Sequence, residues 1–522
     1  MKITDFIALN DCQCQAVQSD STQFEATVSG DQLRGVCQSL AGQSQLLAMF
    51  ANDERGTTQC YQLYLVFALE EGVRLTLITP VASDSCTFPS VTPILPAAQW
   101  YEREIKDLFG LQPLGHPDPR RLVLHRGWPK GLHPLRKDYD PHDLDSKSVL
   151  EEGFTYQKVT GDGVIQVPVG PIHAGIIEPG HFRFHVVGES VLELDARFFY
   201  THRGLEKLAE GKAWPEVQRI TERICGVCTV SHSFSFALAI EQIAGKQAPE
   251  RANYLRVIYG ELERVYNHLN DISAICAGVG LALGSQKAAE MKERALRLNN
   301  ILVGHRYLQG VIIPGGVKQD FDSTRIVTLK AFIEQIEPEV TELWQALKDS
   351  DSLFDRLGGT GILTKEDATL LGVVGPAARA SGLALDTRVN YPYAAYQKLT
   401  LEVPIRTAGD VYSRLWVRVK ELGQSFRLLR DALADLPSGS VLIDLPAFLP
   451  PWRHGFGVTE SPRGSDFHWL MTGAEGTIYR YFIRSASYPN WPAVVKAVPG
   501  NIMPDFPLIN KSFELCYSCL DR

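Results

Sequence analysis

Apolar residues recur every three or four positions along three long stretches of the chain. In "APERANYLRVIYGELERVYNHLNDISAI" the residues Ile258, Leu262, Val265, Leu269 and Ile272 alternate four and three apart, which draws one apolar stripe along a helix. "STRIVTLKAFIEQIEPEVTELWQAL" and "GDVYSRLWVRVKELGQSFRLLRDAL" keep the same rhythm. Such stripes leave water only by facing one another, so a helical bundle is the expected core. The first 140 residues are patterned differently. There "QCYQLYLVFAL" and "GVRLTLITPV" are rich in β-formers and are predicted to pair as a hairpin across "EEG". "AAQWYEREIKDLFGL" follows, apolar at Trp100, Ile105, Leu108 and Phe109, a short amphipathic helix stopped by Gly110. Shorter extended pieces, "HFRFHVVGESVLELDARFFY" and "TIYRYFIRSASY", add strands around the bundle. The polar, proline-containing stretch 133–153 reads as a connection. The expected class is α+β: a small α+β domain over 1–140, a linker over 141–160, and a mainly α-helical bundle domain with peripheral β-structure over 161–522.

Length and charge narrow the function. A chain of 522 residues exceeds one ordinary core, which agrees with two domains. A net charge of −8 with no basic stripe excludes nucleic acid as the expected partner. No secretory leader is read at the N-terminus. The longest nearly uncharged apolar run, "ISAICAGVGLALGSQ", is shorter than the roughly 20 residues that span a bilayer, so a membrane role requires other subunits as the anchor.

Ten cysteines in a chain read as cytosolic point to metal binding or catalysis rather than disulfides. Cys37, Cys60, Cys86 and Cys276 are expected to be inert, small buried hydrophobes. Cys12 and Cys14 form only a weak Cys-x-Cys pattern. The informative four are Cys225 and Cys228 in "RICGVC", and Cys516 and Cys519 in "LCYSCLDR". Two residues between cysteines turn the chain enough to aim both sulfurs at one metal. Zinc is the plainest reading of two such pairs, but structural zinc usually has its pairs closely spaced in a small domain. Here a large folded frame has to bring them together. Gly226 permits close backbone approach, and His232, four residues past Cys228, is set either to hydrogen-bond a metal-bound sulfur or to be an ordinary core histidine.

Arg-Ile-Cys-Gly-Val-Cys-x-x-x-His together with the second Cys-x-x-Cys resembles the large subunit of [NiFe] hydrogenases. The resemblance implies a Ni–Fe centre whose iron carries CO and cyanide, with Cys225 and Cys516 terminal on nickel and Cys228 and Cys519 bridging. It also implies that Glu178, in "EPGHFRF", is the proton gate, and that Arg463, in "TESPRGSDFHW", hangs over the metals as a donor and positive charge. Glu206, in "HRGLEKL", stands where the family has a carboxylate near a second, structural ion of magnesium or iron. Two departures are visible. Glu514-Leu515 replaces the family's Asp-Pro, which removes a fixed backbone angle before Cys516. Arg522 occupies the place of the family's histidine after the second pair, a position after which many relatives are cleaved once nickel is loaded.

Residues 100–139 resemble the 30 kDa subunit of respiratory complex I, and 375–396 resemble its 49 kDa subunit. Their fusion is similar to the membrane-bound, energy-converting group 4 hydrogenases of the formate hydrogenlyase type. That branch implies H2 chemistry at the cytoplasmic face of the inner membrane as a peripheral subunit. Its implied partners are an iron–sulfur small subunit with [4Fe-4S] clusters, ferredoxin-like electron-transfer subunits, formate dehydrogenase and antiporter-like membrane subunits. The alternative is a fused complex I subunit in NADH/quinone oxidoreduction, which has no need of the four cysteines.

Overall fold

The computed structural model describes residues 1–10, 14–17, 20–125, 127–142, 156, 159–174 and 177–522. The expected hairpin forms: β4 (Cys60–Ala68) and β5 (Arg74–Ala82) run antiparallel from Cys60 opposite Ala82 to Ala68 opposite Arg74. With β1 (Cys14–Val17), β2 (Asp20–Thr27) and β3 (Gln45–Asp53) they make one sheet in the order β1-β2-β5-β4-β3, in which only β2 and β5 are parallel. Helix α1 (Gly30–Leu40) buries Leu33, Val36, Cys37 and Leu40 against this unit. Helix α2 (Gln99–Phe109) ends, as expected, on Gly110, whose positive φ of 73° a side chain would strain. The amphipathic expectation for α2 is too narrow, because Glu102, Arg103, Glu104 and Asp107 are buried along with its apolar face. The helix lies between layers, and its acids are used by backbone amides and by a distant arginine. Residues 133–142 are not a free connection either. The Lys137 backbone N–H donates to Asp53 at 2.8 Å and its ammonium to Glu210 at 2.7 Å. Most of the expected 141–160 linker lies outside the described residues.

Beyond it, a small antiparallel sheet of β6 (Ile165–Val169), β7 (His181–Val187) and β8 (Ser190–Arg197) precedes the helices. The bundle is built on α5 (Glu250–Gly278), packed against α6 (Ala282–Val303) and α8 (Val411–Ala434), with α7 (Ser323–Lys348) outside. All five residues of the α5 stripe are buried. So is much of the opposite side, because ion pairs and a hydrogen bond compensate it: Arg418 with Asp271 at 2.8 Å, Arg388 with Glu261 at 3.0 Å, and His268 hydrogen-bonded to Glu421 at 2.7 Å.

A second antiparallel sheet joins the two parts. It contains β9 (His454–Ser461), β10 (Gly464–Thr472) and β11 (Ile478–Arg484). On one side β9 lies on helix α4 (Thr229–Ala244), and Gly457 is required there, since a Cβ would stand 2.0 Å from the Ser235 carbonyl. On the other side the sheet meets the N-terminal unit through aromatic rings. Phe50 stacks on Phe482 at 4.4 Å and contacts Trp469 at 4.9 Å, and Arg484 donates to the Leu47 carbonyl at 2.9 Å. Phe50→Ala should therefore cost about 3–5 kcal/mol of stability. Phe448→Ala, at a site 61% exposed, should cost under about 0.5 kcal/mol. Chemical denaturation of the two variants checks the contrast, and equal midpoints would remove the interface from the core.

Candidate metal centre

Both cysteine pairs sit where a helix begins. Cys228 is the residue before α4, and Cys516 is the residue before α10 (Tyr517–Asp521). Unpaired amide N–H groups at such an end favour sulfur in its anionic form. In α10 this is a direct contact, the Cys519 N–H donating to Cys516 Sγ at 3.3 Å. In α4 the free amides of Val230 and Ser231 are instead taken by Glu263, at 2.7 and 3.0 Å.

The fold closes a sequence gap of 291 residues to a Cys225–Cys516 sulfur distance of 3.4 Å. The ligand atoms of Cys225, Cys516 and Cys519 lie within 4.8 Å of one another, and they are the one such trio of Cys, His, Asp or Glu among the described residues. Cys228 joins the set, since its thiol and those of Cys516 and Cys519 are donors to the Cys225 sulfur and hold Cys225 well below the usual thiol range. The remaining thiols are pushed up, because that neighbouring negative charge and burial oppose further ionisation. Four sulfurs with one easily formed thiolate are a donor set for a soft metal, which binds by displacing the other protons.

Arg463 stands at the turn between β9 and β10, 6% exposed. Its Nη1 donates to Cys228 Sγ at 3.0 Å and to Asn267 Oδ1 at 3.1 Å, and its Nε donates to the Glu514 carbonyl. Gly375, at a φ of +70°, admits this turn, for a Cβ there would be 2.2 Å from the Arg463 carbonyl. The guanidinium thus bridges both cysteine segments and α5. Asn267 and Tyr266 also donate to the Val227 carbonyl, each at 2.8 Å, and pin the loop between Cys225 and Cys228.

Glu178 is half-buried on the same side. Withdrawal from water raises its pKa, as does the Cys225 charge, while Arg203 opposes the rise. His232 is fully buried. Its Nδ1 pairs with His468 Nε2 at 2.9 Å, and its Nε2 has no hydrogen-bond partner among the described residues. An orphaned ring nitrogen in a thiol-lined core fits a bound group that uses it. Glu514 takes a left-handed backbone conformation, φ 48°, and so makes the turn into Cys516 that a proline would otherwise shape. Its carboxyl accepts from Asn270 at 3.2 Å, and burial with nearby Asp271 pushes it up to about 7.

Glu206 lies elsewhere. Its oxygens accept from Arg480 at 2.7 Å and Arg522 at 3.1 Å, so the expected second metal ion would meet guanidinium groups rather than free ligands. Of the cysteines expected to be inert, Cys37 and Cys276 are buried, with thiols pushed up to about 12 and 11, whereas Cys60 and Cys86 are partly exposed. Cys12 lies outside the described residues. Sequence reading missed Glu263, Asn267 and Ser487, which accepts from the Cys516 N–H at 3.0 Å and from the Cys519 thiol at 3.4 Å. The signal available was the polar set 263, 266 and 267 beside an apolar stripe. Ser487 had none.

Comparison with known proteins agrees with this geometry. The nickel-dependent hydrogenase family model matches residues 203–272, the segment that carries the first cysteine pair. The models of the 30 Kd and 49 Kd subunits of respiratory-chain NADH dehydrogenase match 26–144 and 279–457. The chain is 38% identical over 482 residues to formate hydrogenlyase subunit 5 of Escherichia coli (strain K12), covering 91% of this chain and 84% of that one. It is 37% identical over 484 residues to hydrogenase-4 component G of the same organism, with the same coverage of 91% and 84%. A solved chain in the structure of the membrane-bound sulfane sulfur reductase, an archaeal respiratory membrane complex, superposes with a TM-score of 0.65 at 27% identity, over 70% of this chain and 100% of that one. With its thiol-lined core and its two complex I-like segments in one polypeptide, this chain belongs to the large-subunit family of membrane-bound [NiFe] hydrogenases, in the branch of formate hydrogenlyase subunit 5 and hydrogenase-4 component G.

Proposed function

We propose that Cys225, Cys228, Cys516 and Cys519 hold a nickel–iron centre and that this chain catalyses 2H⁺ + 2e⁻ ⇌ H2 with evolution of H2 as its working direction. The observation that carries the reading is the convergence of four sulfurs and one guanidinium from both ends of the catalytic domain in a buried core. When bound, the centre supplies reversible heterolysis of H2, with CO and cyanide on its iron. The chain's own residues manage charge and protons around it. In the family's pattern Cys225 and Cys516 would hold it as terminal thiolate ligands, and Cys228 and Cys519 as the shared ones. Arg463 keeps a fixed positive charge and an N–H donor on Cys228, held in place by its bonds to Asn267 and the Glu514 carbonyl. Glu178, its pKa raised by burial and by Cys225, is the carboxyl that would pass a proton between the core and the surface. His232, whose Nε2 has no hydrogen-bond partner among the described residues, would be available to the bound group.

No further cysteine trio exists among the described residues, so electrons must leave through another subunit. An iron–sulfur small subunit with [4Fe-4S] clusters suits this, followed by ferredoxin-like subunits, formate dehydrogenase and antiporter-like membrane subunits. No described helix is long and apolar enough to cross a membrane; in the formate hydrogenlyase type of complex these partners would hold the chain at the cytoplasmic face of the inner membrane.

Elemental analysis of the purified complex should find about one nickel per chain, and serine at any of the four cysteines should abolish it; zinc in place of nickel refutes the reading. Glu178→Gln should lower H2 turnover by about 10²–10⁴-fold with nickel content unchanged, and full turnover in a loaded Glu178→Gln enzyme removes Glu178 from the proton path. Arg463→Lys keeps the charge but cannot bond Cys228, Asn267 and Glu514 together. Its turnover should fall by about 10²–10³-fold, with shifted infrared bands of the iron ligands.

A further inference from the structure

Arg522 is buried and held from several sides outside the thiol core. Its side chain is 2% exposed. Nη1 donates to Glu206 Oε1 at 3.1 Å and to the Ile483 carbonyl at 2.6 Å, and Nη2 donates to Glu104 Oε2 at 2.5 Å. The guanidinium carbon stands 5.2 Å from the centre of the Tyr488 ring. Only Nε lacks a partner among the described residues. Glu206 is equally committed. Besides Arg522 it accepts from the Ile483 N–H at 3.0 Å and from Arg480 Nη1 at 2.7 Å. Arg480 is held in turn by the Ala51 carbonyl at 3.3 Å.

Two carboxylates, Glu104 and Glu206, thus face two guanidinium groups, Arg480 and Arg522, in a closed cluster with no net charge. A divalent ion bound at Glu206 would have to displace a guanidinium hydrogen bond and would then sit within about 4 Å of a second positive charge in a medium of low dielectric. It would also lack company, since Glu206 belongs to no trio of metal-ligating atoms among the described residues. The residues present do not fit a second metal.

We propose that Arg522 is itself the structural cation at this position: its guanidinium replaces a divalent ion beside Glu206, and its second arm, on Glu104, ties the segment bearing Cys516 and Cys519 to the N-terminal unit. A spherical ion bonds whatever ligands surround it. A guanidinium is a planar fork with fixed directions, so it can bond Glu206 on α3 (Leu205–Ala209), Ile483 on β11 and Glu104 on α2 at once. Arg522 follows directly on Asp521, the last residue of α10. Asp521 accepts from the Phe199 and Thr201 amides at 2.8 and 2.9 Å, and the Arg203 N–H donates to the Arg522 carbonyl at 2.7 Å. Residues 199–206, β11 and α2 therefore close on the turn that follows the second cysteine pair. Arg522 touches no sulfur and is a positioning residue. Its bearing on nickel retention rests on the function proposed above, but the identity of the cation at Glu206 does not.

The test counts ions per chain in the intact complex, purified in chelator-treated buffer, and maps density and iron-edge anomalous signal beside Glu206. We expect guanidinium density, no iron signal at Glu206, and no stoichiometric magnesium, manganese, calcium or zinc. About one such ion per chain, or an iron peak at Glu206 with Arg522 turned away, overturns the proposal whether or not nickel is present. Arg522→Met should lower the denaturation midpoint and speed nickel loss to a chelator by at least about tenfold, with no rescue by added magnesium; rescue by magnesium overturns it. Arg522→Lys, which keeps the charge and folds more readily, should recover only part of the loss, because an ammonium has no fork. The effect of Arg522→Met should shrink in a Glu104→Gln background. Full additivity of the two changes would rule out the tie to the N-terminal unit.

Discussion

Gathering four buried sulfurs, one of them readily ionised, in a dry core is the constraint around which this structure is arranged. A thiolate in a dry core is costly unless donors and positive charge surround it. Here the donors come from neighbouring thiols, from the Cys519 amide in the first turn of α10 and from Arg463, and so from both cysteine segments and the β9–β10 turn. Because Arg463 bonds Cys228, Asn267 and Glu514 together, one side chain couples the first pair, the bundle and the turn into the second pair. The large frame is the consequence: no small domain could supply these partners in sequence.

Charge burial then spreads outward. Asp271, held down to about 2 by Arg418 despite burial, lies near both Arg463 and His268. His268 bonds Glu421, and Glu421 bonds Arg379 at 2.7 Å, which reaches Glu460 at 2.8 Å. Every member of this series is buried. Each ion is thus the condition for burying the next, and a single neutral substitution would leave a charge without its partner, at a cost of about 3–5 kcal/mol. This explains why α5 has no solvated face.

The helical stripes, the first hairpin and the four cysteines were legible because each depends on local spacing. Periods of 3.6 and 2 residues are set by backbone geometry, and Cys-x-x-Cys by the reach of two sulfurs. The buried polar faces of α2 and α5 were not legible. Glu104, Glu261 and Glu263 look like solvated positions until their partners, Arg522, Arg388 and the amides that open α4, are known, and none of those is a local neighbour. Glu206 shows the same limit. The residue facing it, Arg522, is contributed by a segment 316 residues away. The turn at Glu514 was flagged for its missing proline, and the left-handed backbone there is how the chain makes it.

The aromatic contact between Phe50 and the sheet β9–β11 has a consequence for economy of assembly. As separate molecules, the two parts would have to find one another, and the interface would bear the whole loss of translational and rotational freedom, several kcal/mol. Joined in one polypeptide, they meet at an effective concentration in the millimolar range, whatever the cell's protein levels. A patch of a few rings and arginines then suffices where a free dimer would need a standard-sized interface, and the two parts are made in equal number by a single act of translation.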